Sequence, residues 1–156
     1  MPEVQLSLVG SMATDDPEGW EFFNSTLEYA QGDSDIKILN NLNNVGAIEV
    51  NAFQSQADVI IQKSLREGFG LTVSEALWKG RPFIGGDVGG IPLQVENGVS
   101  GYLVSSVEEC AARALDVVND PSLGRALGRR GKEYVRTHFL MPRYLRDYLR
   151  IMHEVL

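Results

Sequence analysis

Two glutamates eight positions apart, Glu67 and Glu75, enclose the stretch with the clearest capacity for chemistry in this chain. Two glycines between them allow a ligand to approach the backbone closely, and a helix is predicted to begin around Gly70 or Leu71. The N–H groups at the amino terminus of a helix attract anions. We therefore expect a diphosphate to be held without a metal ion by the Thr72 hydroxyl and by the amides of Gly70, Leu71 and Thr72.

The two glutamates have different expected roles. Glu75 comes about one turn into the predicted helix, so its carboxylate can accept two hydrogen bonds from a diol such as a ribose. Glu67 lies on the loop before the helix, close enough to touch a sugar carried by the diphosphate. A capped helix in a well-packed domain would show the same spacing, so the spacing alone leaves both interpretations open.

Short apolar runs alternate with helical patterns along the first two thirds of the chain. They cover residues 4–9, 36–39, 58–61, 82–84 and 102–104. Such alternation predicts an α/β fold, a Rossmann-like parallel sheet with helices on both faces. Ligands of open parallel sheets bind beyond the carboxyl ends of the strands. The stretch 64–77, which follows the strand ending near Gln62, falls at such an end.

Several helices carry local start and stop signals. Asp16 can cap a first helix, Pro17 suits its first position, and Gly32 is expected to end it. After Val104 three further helices are predicted, the first with a capping box at Ser106. The third is expected to turn the following side chains inward: Tyr144, Leu145, Tyr148, Leu149 and Met152. We expect a single domain over 1–156, with the sheet and its crossover helices in 1–104 and the C-terminal helices in 105–156.

Composition excludes several classes of function. Fourteen Lys and Arg against 21 Asp and Glu give a net charge of −7, which disfavours nucleic acid as a partner. The single cysteine, Cys110, rules out an internal disulfide and is expected to be a buried, inert thiol. No apolar run reaches the roughly 18 residues of a membrane span, and no signal peptide is apparent. The cytoplasm is the expected location, with no membrane partner.

Other residues that could suggest chemistry have simpler explanations. A helix cap before Pro17 accounts for the acidic pair Asp15 and Asp16 better than a metal site does. The two histidines, His138 and His153, form no catalytic triad. Lys63 and Arg66 could contact a phosphate or a sugar, although exposed cations are the simpler interpretation. No metal site is expected.

Two separate motifs resemble those of one enzyme family. Residues 67–75 resemble the E-x7-E motif of the family 4 retaining glycosyltransferases of the GT-B fold, in the form E-G-F-G-L-T-x-x-E. Residues 89–92, 97–98 and 100–104 resemble the second signature of that family at the expected distance. The resemblance covers nearly the whole chain. Residues 15–20, 51–54 and 66–80 are similar to the members that join a nucleotide-activated glucose to free glucose and so make trehalose.

The resemblance implies the C-terminal, nucleotide-sugar-binding half of a hexosyltransferase that retains the anomeric configuration and needs no metal. It places Glu67 at the catalytic position beside the transferred sugar and Glu75 at the ribose. The segment 39–45 would meet the base. The implied transition state resembles an oxocarbenium ion. The remaining positions implied to bind the nucleoside diphosphate sugar are Gly68, Phe69, Gly70, Leu71 and Thr72.

Members of this family also have segments that no residues of this chain match. An acceptor domain precedes the nucleotide-sugar half, and a first strand and helix follow it with an arginine and a lysine that neutralise the diphosphate. Without those cations we expect no transfer by the isolated chain. In the order 3-2-1-4-5-6 the absent strand is central. The second strand would then pair with the fourth, or another copy would fill the gap, and we expect a homodimer or larger assembly.

Two further functions remain open at this point. One is a non-catalytic module that binds a nucleotide or nucleotide sugar through the same amides. The other is a structural or interaction protein that kept the fold and lost the ligand.

Overall fold

The computed structural model describes residues 4–13 and 15–155. Its strands are β1 (Leu6–Val9), β2 (Ile36–Leu39), β3 (Ile60–Gln62), β4 (Phe83–Gly86) and β5 (Tyr102–Val104). Its α-helices are α1 (Pro17–Ala30), α2 (Ala47–Gln56), α3 (Leu71–Trp78), α4 (Val107–Asn119), α5 (Pro121–His138) and α6 (Met141–Val155). Short 3-10 helices lie at Asn41–Asn43 and Ile91–Leu93. All strand pairs are parallel, which confirms the α/β prediction with a helical C-terminal tail.

The chain divides into two compact units, and the boundary along the sequence falls between Phe53 and Gln54. The first contains β1, α1, β2 and most of α2; the second begins with the last turn of α2 and contains everything after it. The C-terminal helices do not form a unit of their own after Val104, because α4 packs against β4 and β5 and α5 packs against α3 and α4. That 1–156 acts as a single functional domain stays a prediction.

In the first unit, β1 and β2 pair from Leu6 opposite Ile36 to Val9 opposite Leu39. Pro17 is the first residue of α1, and the Asp16 carboxylate accepts a hydrogen bond from the Gly19 N–H over 3.0 Å, so the predicted cap is confirmed. The helix ends at Ala30. Gln31 already adopts a left-handed backbone with φ of 48°, one residue before the expected Gly32.

The second unit contains a three-stranded sheet in the order β3-β4-β5. Its core is apolar and includes fully buried residues from α3, β4 and the loop after it: Val73, Leu77, Phe83, Ile84 and Ile91. α5 approaches α3 through glycines. A Cβ atom added at Gly128 would lie 2.0 Å from the Gly80 carbonyl oxygen, and one at Gly131 would lie 2.5 Å from Leu77 Cδ2.

The described strands form two sheets, β1-β2 and β3-β4-β5. Direct pairing of the second and fourth strands of the family, which are β1 and β3 here, was one of two expected arrangements. These strands belong to different units, and their pairing stays a prediction. The other arrangement, an assembly of several copies, stays a prediction.

The apolar face of α6 is exposed. Met152 is 45% exposed and Tyr144 64% exposed, and the exposed fractions of Leu145, Tyr148 and Leu149 lie between these values. The prediction that these five side chains face inward is therefore wrong. Helical periodicity identifies an apolar stripe but contains no information on what covers it. No helix in the described part of the chain is long and apolar enough to cross a membrane.

Candidate functional site

The turn into α3 has the geometry that the sequence predicts. Gly70 precedes the helix with φ of 83° and ψ of 70°, in the left-handed region that glycine adopts without strain. The helix begins at Leu71, and the Val73 N–H donates to the Gly70 carbonyl over 3.0 Å. The first N–H groups of an α-helix have no acceptor within it. The amides of Leu71 and Thr72 are therefore in position to bind an external acceptor.

Side chains around this turn leave it accessible. Leu71 is 69% exposed and Phe69 43% exposed, while Gly68 is also exposed and Thr72 is half-buried. Gly70 itself is buried, since Glu67, Val73 and Ile91 lie against it. The predicted diphosphate-binding backbone therefore lies at the surface of the second unit and packs on buried residues.

Both glutamates of the motif accept a hydrogen bond from a glutamine. Gln54 donates through Nε2 to Glu75 Oε2 over 2.8 Å. Gln62, the last residue of β3, donates through Nε2 to Glu67 Oε2 over 2.6 Å, and Ser64 Oγ lies 3.5 Å from the same oxygen. These bonds fix one oxygen of each carboxylate while Glu75 stays exposed and Glu67 half-buried. Sequence reasoning missed both glutamines.

The second signature packs directly onto the first. A Cβ atom added at Gly89 would lie 1.7 Å from the Glu67 carbonyl oxygen, and one at Gly90 would lie 2.4 Å from the Gly68 carbonyl oxygen. Only glycine permits two backbones to approach this closely. The glycines therefore hold the loop that contains Glu67 and Gly68 against the loop after β4.

Gln94 connects the same two loops from inside. Its side chain is fully buried, donates to the Phe69 carbonyl and accepts from the Ser74 hydroxyl. A buried amide with partners on both sides resists displacement, because breaking either bond leaves a polar group without a partner away from water. Gln94 was not identified from the sequence either. It fixes the loop before α3 relative to the helix itself.

No group of three metal-binding side chains occurs within residues 4–13 and 15–155. Arg66 is exposed and Lys63 half-buried. Cys110 is half-buried rather than buried as expected; its partial burial raises the pKa of the thiol, an effect that Lys63 opposes. The segment 39–45 belongs to the first unit, where the Asn40 side chain accepts from the Leu42 N–H, and its contact with a base stays a prediction.

Solved structures of GT-B glycosyltransferases have the same fold. Sucrose-phosphate synthase from Thermosynechococcus elongatus matches 99% of this chain with a TM-score of 0.81 and 28% identity, over 39% of its own length. Anabaena HepE, whose structure was solved in complex with UDP-glucose, matches 99% of this chain with a TM-score of 0.82. Its identity of 18%, over 42% of its length, shows a likeness of fold alone. The class is therefore a GT-B glycosyltransferase domain.

The chain belongs to the family described as glycosyl transferases group 1, whose model matches residues 3–134. A trehalose synthase from Rubrobacter xylanophilus is 60% identical over 154 residues, which are 99% of this chain and 37% of that relative. The prediction of a hexosyltransferase by family is thus confirmed. Because the chain spans only about a third of that relative's length, the reaction of a whole enzyme does not follow from the similarity.

Proposed function

We propose that this chain binds a nucleoside diphosphate sugar, with glucose as the sugar, for retaining transfer to a sugar acceptor. One observation carries the proposal: the Glu75 carboxylate lies one turn beyond accessible amides that have no acceptor within α3. The similarity to a trehalose synthase supports glucose as the donor sugar, free glucose as the acceptor and trehalose as the product. The UDP-glucose bound by HepE supports the class of ligand.

The start of α3 suits a nucleoside diphosphate in both charge and length. Amides at a helix amino terminus, aided by the helix dipole, favour a negative charge. We assign the diphosphate to Gly70, Leu71 and Thr72, and we include Gly68 and Phe69 among the residues that bind the nucleoside diphosphate sugar. Glu75 is four residues after Leu71, about 6 Å along the helix axis at the usual rise per residue. That distance separates a diphosphate from the diol of the ribose attached to it.

Transfer requires stabilisation of the departing diphosphate rather than a bound metal. As the bond to the sugar breaks, negative charge accumulates on the leaving oxygen and positive charge on the sugar ring. The amides at the start of α3 oppose the first charge. The Glu67 carboxylate, fixed by Gln62, would lie beside the sugar and oppose the second. Each preorganised donor of this type contributes about 3–4 kcal/mol in enzymes where one has been removed.

We expect the chain to bind ADP-glucose or UDP-glucose, and the corresponding diphosphate, in a one-to-one complex that excess EDTA does not weaken. Backbone amides supply the positive potential, so chelation removes nothing that the ligand contacts. Isothermal titration calorimetry with and without EDTA measures this. Binding that EDTA abolishes and Mg²⁺ restores would contradict the metal-free site.

Turnover in the same samples separates the candidate functions. Release of the nucleoside diphosphate in the presence of glucose, with trehalose detected by chromatography, supports an enzyme. Saturable binding without release is the result expected of the chain assayed alone, so it fits both the proposed transferase domain and a non-catalytic module that uses the same amides. If none of the four nucleotides binds, the proposed function fails and a structural role remains.

A further inference from the structure

The carboxylate assigned to the ribose is held by a side chain outside the glutamate motif. Gln54 belongs to the last turn of α2 and, like Glu75, to the second unit. It is only 8% exposed, although its neighbours Phe53 and Gln56 are exposed. Its Nε2 lies 2.8 Å from Glu75 Oε2. A buried amide that donates to an exposed carboxylate fixes that carboxylate from behind while the other side stays accessible.

Charges on both sides determine how the Gln54 amide is oriented. Lys79 Nζ donates to Gln54 Oε1 over 2.7 Å, opposite the bond to Glu75. Rotating the amide by half a turn would place its oxygen against the carboxylate and its NH2 group against the ammonium group. Both contacts would be repulsive. The observed orientation makes two charge-assisted hydrogen bonds and is the only one with two favourable contacts.

The same amide separates two opposite charges. Glu75 and Lys79 are four residues apart at α3, a spacing at which glutamate and lysine commonly pair. Among the described residues, Glu75 and Lys79 form no ion pair with each other, and Lys79 instead donates a hydrogen bond to Gln54. A direct pair would use the carboxylate oxygens that a diol needs. With Gln54 between them, Glu75 stays oriented and Lys79 does not compete for it.

We propose that Gln54 is a positioning residue for recognition of the ribose diol. It fixes Glu75 Oε2 and keeps Lys79 away, and it does not itself touch the ligand. This inference rests on the proposed function, because it needs Glu75 to bind the nucleotide. Replacing Gln54 must then weaken the binding only of ligands that have the diol. A glutamine with a merely structural role would not discriminate between ligands in this way.

The test compares ADP and UDP with their 2′,3′-dideoxy analogues by calorimetry. Gln54→Met keeps the volume of the side chain and removes both hydrogen bonds. We expect it to raise the Kd of the diphosphates about 3- to 10-fold, the range of one hydrogen bond, and to leave the Kd of the dideoxy analogues unchanged. Gln56→Met, on the exposed face of the same helix, is the matched control and should change neither Kd.

Equal weakening of both kinds of nucleotide, or no weakening of either, would overturn the inference. Gln54→Glu provides a second variant should Gln54→Met lose its cooperative thermal transition. It keeps a partner for Lys79 but places a like charge beside Glu75, and should weaken only the diol ligands. Glu75→Ala distinguishes failure of the role of Gln54 from failure of the proposed function. If it lowers affinity and both Gln54 variants do not, only the role of Gln54 fails; if it leaves affinity unchanged, the proposed function fails.

Discussion

Replacing Glu75 with alanine is expected to weaken binding of a nucleoside diphosphate by about 10- to 100-fold. A hydrogen bond to a charged group contributes about 1.5–3 kcal/mol, and each 1.4 kcal/mol changes the affinity tenfold. The carboxylate is exposed and accepts a hydrogen bond from Gln54, so the variant should keep the fold. Calorimetric titration with ADP and UDP measures the change.

The matched control is Glu108→Ala. Glu108 is exposed in the first turn of α4, so its replacement removes the same net charge from a second helix start. It should bind the diphosphates with the affinity of the unaltered chain. Equal affinities for the two variants would remove Glu75 from the site, whatever their common value.

Replacing Gly89 with alanine is expected to lower the free energy of unfolding by about 2–5 kcal/mol, the sum of overpacking and a left-handed backbone. The added methyl group would lie 1.7 Å from the Glu67 carbonyl oxygen, which is close to a covalent distance. The two loops would have to separate, because neither contacting atom is a flexible side chain. Urea denaturation, followed by circular dichroism, measures the loss.

Gly98→Ala isolates the backbone contribution to that loss. Gly98 also has a positive φ, 76° against 55° for Gly89, but an added Cβ would meet nothing within 4 Å. Its replacement should cost about 1–2 kcal/mol from the backbone alone. The difference between the free energies of unfolding of the two variants measures how much the packing of the loop after β4 against the loop before α3 contributes to stability. If both variants lose the same stability, the close approach of Gly89 to Glu67 is not present in solution.

Local signals in the sequence predicted the helix boundaries that matter for the site. The helix at Leu71 follows from a glycine and a run of helix-forming residues, and Asp16 and Ser106 cap their helices as expected. Ser106 Oγ accepts from the Glu109 N–H over 3.0 Å, while the Glu109 carboxylate accepts from the Ser105 N–H. These features involve residues a few positions apart, so the sequence displays them directly.

The side chains that hold the site in place could not be predicted in this way. Gln54 meets a partner 21 positions later, and Gln94 meets the Phe69 carbonyl 25 positions earlier. Glutamine has no spacing pattern that indicates such a partner, and its burial depends on elements that pack only in the folded chain. The second signature included Gly89, but it did not show that this glycine lets two backbones come into contact.

A nuclear magnetic resonance titration of the ¹⁵N-labelled chain with ADP and UDP tests the proposed nucleotide site at the start of α3 most directly. We expect the amide signals of Gly70, Leu71 and Thr72 to shift most among the residues of the second unit, with the signal of the Gln54 side-chain amide shifting as well. Largest shifts elsewhere, for example around Thr137 and His138 on α5, with the start of α3 unchanged, would contradict the proposed site.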